Sequence, residues 1–116
     1  MAQKYMLVPL AEGIFKDYDL ITRAVVGALY DRTRLSNYNF IGDPTGKKWY
    51  DTQEQRVFCV FSHAELAAQI GVGERTVRRS LKQLQDDGLI WWRKAAYKAA
   101  NRYFLHEVIT QSLKGQ

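Results

Sequence analysis

The sequence predicts an α+β fold: a winged helix-turn-helix, mainly helical with a small antiparallel sheet, in one domain over residues 1–116. Three observations predict it. Two short segments with helical apolar period follow one another across the turn Gly71-Val72-Gly73. Short apolar runs at residues 56–61, 89–92 and 102–105 flank that pair and have strand composition. A length of 116 residues supports one domain with one core, burying roughly two-thirds of the surface the unfolded chain exposes.

In chain order, residues 5–10 are short and apolar with Pro9 near the end, which reads as an edge strand or an extended arm. Asp17 or Asp19 can cap the next segment, placed as a helix at residues 18–33. There Leu20, Ile21, Ala24, Val25, Ala28 and Leu29 form one apolar stripe, with Thr22, Arg23 and Gly27 on other faces. Residues 35–56 break that pattern. Asn37, Asn39, Gly42, Asp43, Pro44 and Gly46 are turn formers, so a loop of about 20 residues is expected. Its aromatics, Tyr38, Phe40, Trp49 and Tyr50, imply packing on the body or on a partner. Residues 56–61 read as one strand, with Cys59 a small buried hydrophobe.

Ser62 and Glu65 then stand at capping-box spacing, opening a helix at 63–70 whose apolar face is Leu66, Ala67 and Ile70. After the glycine turn a second helix is placed at 74–85, with Val77, Leu81 and Leu84 facing inward and Gly88 closing it in a left-handed conformation. Residues 89–92 and 102–105 are short strands joined by the basic, alanine-rich stretch 93–101, read as a long hairpin tip. Trp91 and Trp92 must face opposite sides of their strand. One can be core, and the other is then exposed or covered, by residues 35–56, by the N-terminal arm or by a second subunit, with base stacking a lesser alternative. The tail from His106 has helix-like composition.

Hydrophobic residues make up 47% and aromatic residues 13%, which argues against disorder. The single cysteine excludes an internal disulfide and any zinc site built on several thiolates. No apolar run reaches the ~20 residues of a membrane span, and the start lacks the blocks of a signal peptide, so a cytoplasmic domain with no membrane partner is expected.

The net charge is +5, but residues 75–102 alone carry eight basic and two acidic side chains, a net +6, leaving −1 for the remainder. Such a concentrated field suits a polyanion. On the second helix of the pair, Arg75, Thr76, Arg78, Arg79, Lys82 and Gln83 lie off the inward stripe. Four cations on one face of a short helix repel one another, so stability alone does not explain them. A helix in that position can enter a major groove, where arginine takes guanine O6 and N7 or a phosphate. The hairpin adds Arg93, Lys94, Tyr97, Lys98 and Asn101, with Arg102 at its edge, suited to a phosphate backbone or the minor groove. These observations point to double-stranded DNA. A winged helix used only for protein contacts is the alternative.

No enzyme is expected, and neither a metal nor a cofactor. His63 and His106 belong to different elements, and His63 opens a helix where a phosphate contact or simple surface exposure suffices. The glycine turn lacks the rest of a phosphate-loop or dinucleotide fingerprint, and Asp86 and Asp87 end a helix.

Particular stretches carry a family resemblance. They are the opening Y-M-L-V-P-L, the helix ITRAVVGALYDRTRLS, the segment K-W-Y-D ahead of RVFCVF, and the helix pair FSHAELAAQIGVGERTVRRSLKQLQDDGLI. Over residues 5–105 the chain resembles the N-terminal DNA-binding domain of the RepA N-terminal family of plasmid replication initiators of Gram-positive bacteria. The helix pair is common to many winged-helix families; K-W-Y-D and the opening segment narrow it. The resemblance implies binding at repeated sites of a plasmid origin, initiation of replication, and homodimers on DNA. It also implies that host replication proteins are recruited through a separate C-terminal domain, so that this chain is the DNA-binding part of a longer protein. A transcriptional repressor of the same architecture is the nearest other reading.

Overall fold

The computed structural model describes residues 7–42, 49–94 and 100–114. A short 3-10 turn, Gly13–Phe15, precedes α1 (Leu20–Gly42). Then come β1 (Tyr50–Asp51), β2 (Arg56–Val57), β3 (Cys59–Phe61), α2 (His63–Ile70), α3 (Glu74–Asp86), β4 (Ile90–Lys94), β5 (Asn101–Leu105) and α4 (Glu107–Lys114). β3, β5 and β4 form an antiparallel sheet in that order, and β1 pairs with β2 in a separate hairpin. This is the arrangement of a winged helix-turn-helix carrying an inserted hairpin.

Asp19 caps α1, its Oδ1 accepting from the Thr22 N–H at 2.8 Å. The helix differs from the expected single stripe and from the expected end at residue 33. Thr22 and Gly27, expected on other faces, are buried with residues 24–30, while Leu20 is 62% exposed. The reason is that α1 is covered on several sides. A Cβ built on Gly27 would lie 1.7 Å from the Leu7 carbonyl oxygen and 3.4 Å from the Pro9 ring, so the backbone at Leu7 rests directly on α1. On another side the Thr22 and Ser80 hydroxyls meet at 2.8 Å and join α1 to α3.

The C-terminal half of α1 runs through Asn37 and Asn39 to Gly42 despite their weak helix propensity. Phe40 stacks on Tyr50 with ring centroids 5.0 Å apart, anchoring that extension. The expected loop at 35–56 is therefore helix at its start and a hairpin at its end. Residues 43–48, and with them Asp43, Pro44 and Gly46, lie outside the described residues. The turn from Asp51 to Arg56 closes through Gln55, whose φ is 56°, and through an Asp51 carboxylate that accepts from the Glu54 N–H at 2.9 Å.

The expected continuous strand at 56–61 is instead divided between two sheets. Val57 pairs with Tyr50 and Cys59 with Tyr103; between them the Phe58 N–H donates to the Trp49 carbonyl at 3.1 Å. Phe58 itself is buried, edge-on to Phe104.

α2 opens with the full capping box. Ser62 Oγ accepts from the Glu65 N–H, and Glu65 Oε1 accepts from the Ser62 N–H, both at 3.0 Å. α3 ends in a Schellman arrangement: Gly88, at φ 75°, donates to Gln85, and the Leu89 N–H donates to Leu84 at 3.0 Å. Phe15, Val25, Leu29, Phe61, Leu66, Val77, Leu81, Leu84, Ile90, Tyr103 and Ile109 make one core beneath α1, α2, α3 and the sheet. Trp92 packs against that core and on Tyr103. Trp91 stacks on Phe104 at 5.9 Å and is covered by the inserted hairpin, its Nε1–H donating to Glu54 at 2.8 Å.

Candidate nucleic-acid interface

α3 is anchored on one side and free on the other. Val77, Leu81 and Leu84 are fully buried, while Arg75, Arg78, Arg79, Lys82 and Gln83 are exposed and Thr76 is half-buried. Two of these cations have neighbours on their own helix at the i,i+4 spacing. Arg78 Nη2 lies 3.2 Å from Glu74 Oε1, and Lys82 Nζ lies 2.7 Å from Asp86 Oδ1. Exposed pairs of this kind contribute only about 0.3–0.5 kcal/mol, so they give way readily to a phosphate. Arg75 and Arg79 make no hydrogen bond or ion pair among the described residues. The charge of Arg79 does reach Asp19: its carboxyl is held below the usual value by the Thr22 N–H and hydroxyl first, then by Arg79 and Arg23.

The wing is arranged differently. β4 and β5 pair Arg93 directly opposite Arg102, and Lys94 opposite Asn101. Like charges facing each other across a ladder are destabilising. The inserted hairpin supplies the counter-charge. Asp51, 2% exposed, accepts from Arg93 Nη2 and from Arg102 Nη1, the latter at 2.9 Å. Gln53 Oε1 accepts from Arg93 Nη1 at 2.8 Å. The guanidiniums also cover aromatic rings: Arg56 over Trp91 at 4.7 Å, Arg102 over Phe58 at 4.4 Å and Arg93 over Phe104 at 5.7 Å. Burial would raise the Asp51 pKa, but the Glu54 N–H and the two guanidiniums outweigh it and hold the carboxyl below its ordinary value.

Two of the candidate wing cations, Arg93 and Arg102, are thus tied to the protein's own acid. Lys94 is exposed and makes no hydrogen bond or ion pair among the described residues. Asn101 Nδ2 donates to the Tyr103 hydroxyl at 3.3 Å. Tyr97 and Lys98 lie outside the described residues. Asp51, Gln53 and Glu54 are the site residues that sequence reasoning missed. Asp51 stood in the K-W-Y-D segment, but no local pattern connects it to an arginine 42 residues later.

His63, the first residue of α2, lies against α3. Its Nδ1 accepts from Arg78 Nε at 3.3 Å. Burial first, then the charges of Arg78 and Lys94, hold its pKa below the usual imidazole value, with Glu74 opposing them. Lys94 is therefore close enough to share one field with the exposed face of α3. Among the described residues no group of three or more His, Cys, Asp or Glu side chains could hold a metal ion. No helix among them is long and apolar enough to cross a membrane.

The family described as the replication initiator protein A (RepA) N-terminus matches residues 6–115. The chain belongs to that family. The RepA N-terminal fold is also seen in solved structures of low sequence identity. One, described as the N-terminal domain of a DNA binding protein, is 18% identical with a TM-score of 0.62, covering 97% of this chain and 85% of the other. A second, described as a Rep–DNA complex, is 19% identical with a TM-score of 0.62, covering 90% and 75%. A third, described as an MDR initiator, is 17% identical with a TM-score of 0.61, covering 97% and 88%. No curated protein matches the sequence.

Proposed function

We propose that this replication-initiator domain binds double-stranded DNA sequence-specifically at repeated sites of a plasmid origin, without catalysis of its own. One observation carries the reading. α3 is rigidly anchored by Val77, Leu81 and Leu84, and it turns Arg75, Arg78, Arg79 and Lys82 to solvent, with Lys94 of the wing exposed as well. A helix so held can keep a guanidinium in fixed register against base edges. The Rep–DNA complex that shares the fold supports the choice of ligand. Dimers on repeated sites agree with the unpartnered apolar side chains on the outer half of α1, where Leu35, Tyr38 and Ile41 are 58%, 76% and 68% exposed.

The salt dependence of affinity tests the proposal. Arg75, Arg78, Arg79, Lys82 and Lys94 are the exposed cations of this surface. Five phosphate contacts give a slope of log K against log[salt] of about −4 to −5, at roughly −0.9 per contact. A slope near zero overturns DNA binding. Selection from random oligonucleotides then separates the initiator from the repressor: sites lying as tandem repeats in an origin support the former, and a single promoter palindrome the latter.

A further inference from the structure

We propose that His63 is a positioning residue for Arg78: it fixes the guanidinium in one orientation on the outer face of α3 and so sets the base edge that arginine reads. This rests on the reading of α3 as the DNA-reading helix. The Ser62–Glu65 capping box fixes where α2 starts and therefore where the imidazole of its first residue points. From there Nδ1 accepts from Arg78 Nε at 3.3 Å, while Glu74 Oε1 accepts from Arg78 Nη2 at 3.2 Å. The two acceptors belong to different helices and take two different nitrogens, which defines the plane of the guanidinium. Nη1 makes no hydrogen bond among the described residues and is left for a ligand.

An exposed arginine otherwise samples many rotamers, and ordering it on binding opposes affinity. Reading guanine O6 and N7 needs one defined plane, so an arginine already held discriminates better than a free one. The arrangement requires the neutral imidazole with its proton on Nε2, because a protonated ring has no acceptor at Nδ1. The surroundings favour that form. Nε2 is buried and has no hydrogen-bond partner among the described residues, which disfavours a charged ring. Arg78 from α3 and Lys94 from β4 both disfavour a third positive charge, against Glu74 alone.

The test compares the wild-type chain with His63→Leu, His63→Asn and Arg78→Ala. Each is titrated with a duplex selected from random oligonucleotides and with the same duplex changed at the base whose discrimination Arg78→Ala abolishes. Asparagine puts an acceptor oxygen near the place of Nδ1 and cannot protonate. The expected result is that His63→Leu loses about tenfold in discrimination between the two duplexes while its affinity for a scrambled duplex changes less than about twofold. His63→Asn retains discrimination. In the free proteins, the Arg78 Nε–H signal in NMR is protected from exchange in wild type and His63→Asn and lost in His63→Leu. Unchanged discrimination in His63→Leu, equal loss in His63→Asn and His63→Leu, or an Arg78 Nε–H that exchanges freely in wild type each overturn the proposal. A wild type that prefers no duplex, with the Nε–H protected, overturns the DNA reading of α3 and not the positioning of Arg78.

Discussion

Replacing Asp51 by alanine is the most informative perturbation of the wing. The carboxylate is 2% exposed and accepts from the Glu54 N–H, Arg93 Nη2 and Arg102 Nη1. Removing one partner of a buried ion pair costs about 3–5 kcal/mol because the other charge stays behind. Two charges stay behind here, directly opposite one another across the ladder, which adds up to about 1 kcal/mol of repulsion. Solvent works the other way: the Arg93 and Arg102 side chains are 34% and 29% exposed and can rehydrate. The low end of the range, about 3 kcal/mol, is the expected loss. For a domain of this size that is a fall in Tm of roughly 12 °C.

Urea and thermal unfolding followed by circular dichroism measure it. The triple variant Asp51→Ala, Arg93→Met, Arg102→Met should recover part of the loss, because no uncompensated charge remains. The pH dependence has a definite sign. With its pKa lowered in the folded state, Asp51 contributes its full stability above the ordinary carboxylate value of 3.8. That contribution disappears as pH falls through the folded value, so the gap between wild type and Asp51→Asn closes below about pH 4. A loss under about 1 kcal/mol at pH 7, or a gap that does not narrow in acid, refutes the role given to Asp51.

The other expectations concern separate parts of the molecule. Gly27→Ala forces its new methyl against the Leu7 carbonyl and must displace residues 7–10 from α1, so limited proteolysis should cut that segment faster than in wild type. Burial pushes the Cys59 thiol up to about 11, so a thiol reagent at pH 8 should modify it only after unfolding; fast labelling of the native protein would contradict that. Lys94→Ala should lower the salt slope of DNA affinity by about one, whereas Arg93→Ala should lower it by less, because Asp51 already neutralises that guanidinium. Equal slopes for the two variants would show that Arg93 is free to leave Asp51 for a phosphate.

The elements that could be read from the sequence were those whose signals are local. The Ser62–Glu65 box, the glycine turn, the inward stripe of α3 and Gly88 each lie within one or two helical turns, and the structure has each where the pattern puts it. The outward cations of α3 follow from the same period. What escaped depends on distant partners. α1 runs past residue 33 because Phe40 finds Tyr50, a tertiary contact that outweighs the propensity of two asparagines. The hairpin β1–β2 has strands of two residues, too short for alternation to register, and its left-handed turn residue is Gln55 and not glycine. The single strand read over 56–61 failed at Phe58, where nothing local distinguishes a residue leaving one sheet for another.

The inserted hairpin joins these misses to the candidate site. A 20-residue irregular stretch in a small domain calls for an explanation, and its aromatics pointed to packing without saying on what. The structure answers with the root of the wing. Glu54 takes the Trp91 N–H, Gln53 takes Arg93, and Asp51 takes Arg93 and Arg102 together. Arginines directly opposite one another destabilise a two-stranded ribbon by up to about 1 kcal/mol. With the hairpin docked, Arg93 and Arg102 are held on one carboxylate, while the charge of Lys94 acts, with that of Arg78, on His63. The basic stretch of +6 that looked like a single electrostatic feature therefore has two parts. Arg93 and Arg102 are paired with Asp51, and the cations of α3 with Lys94 remain exposed. Substitutions in the hairpin should accordingly act on the exposed cations only through Arg93 and Arg102.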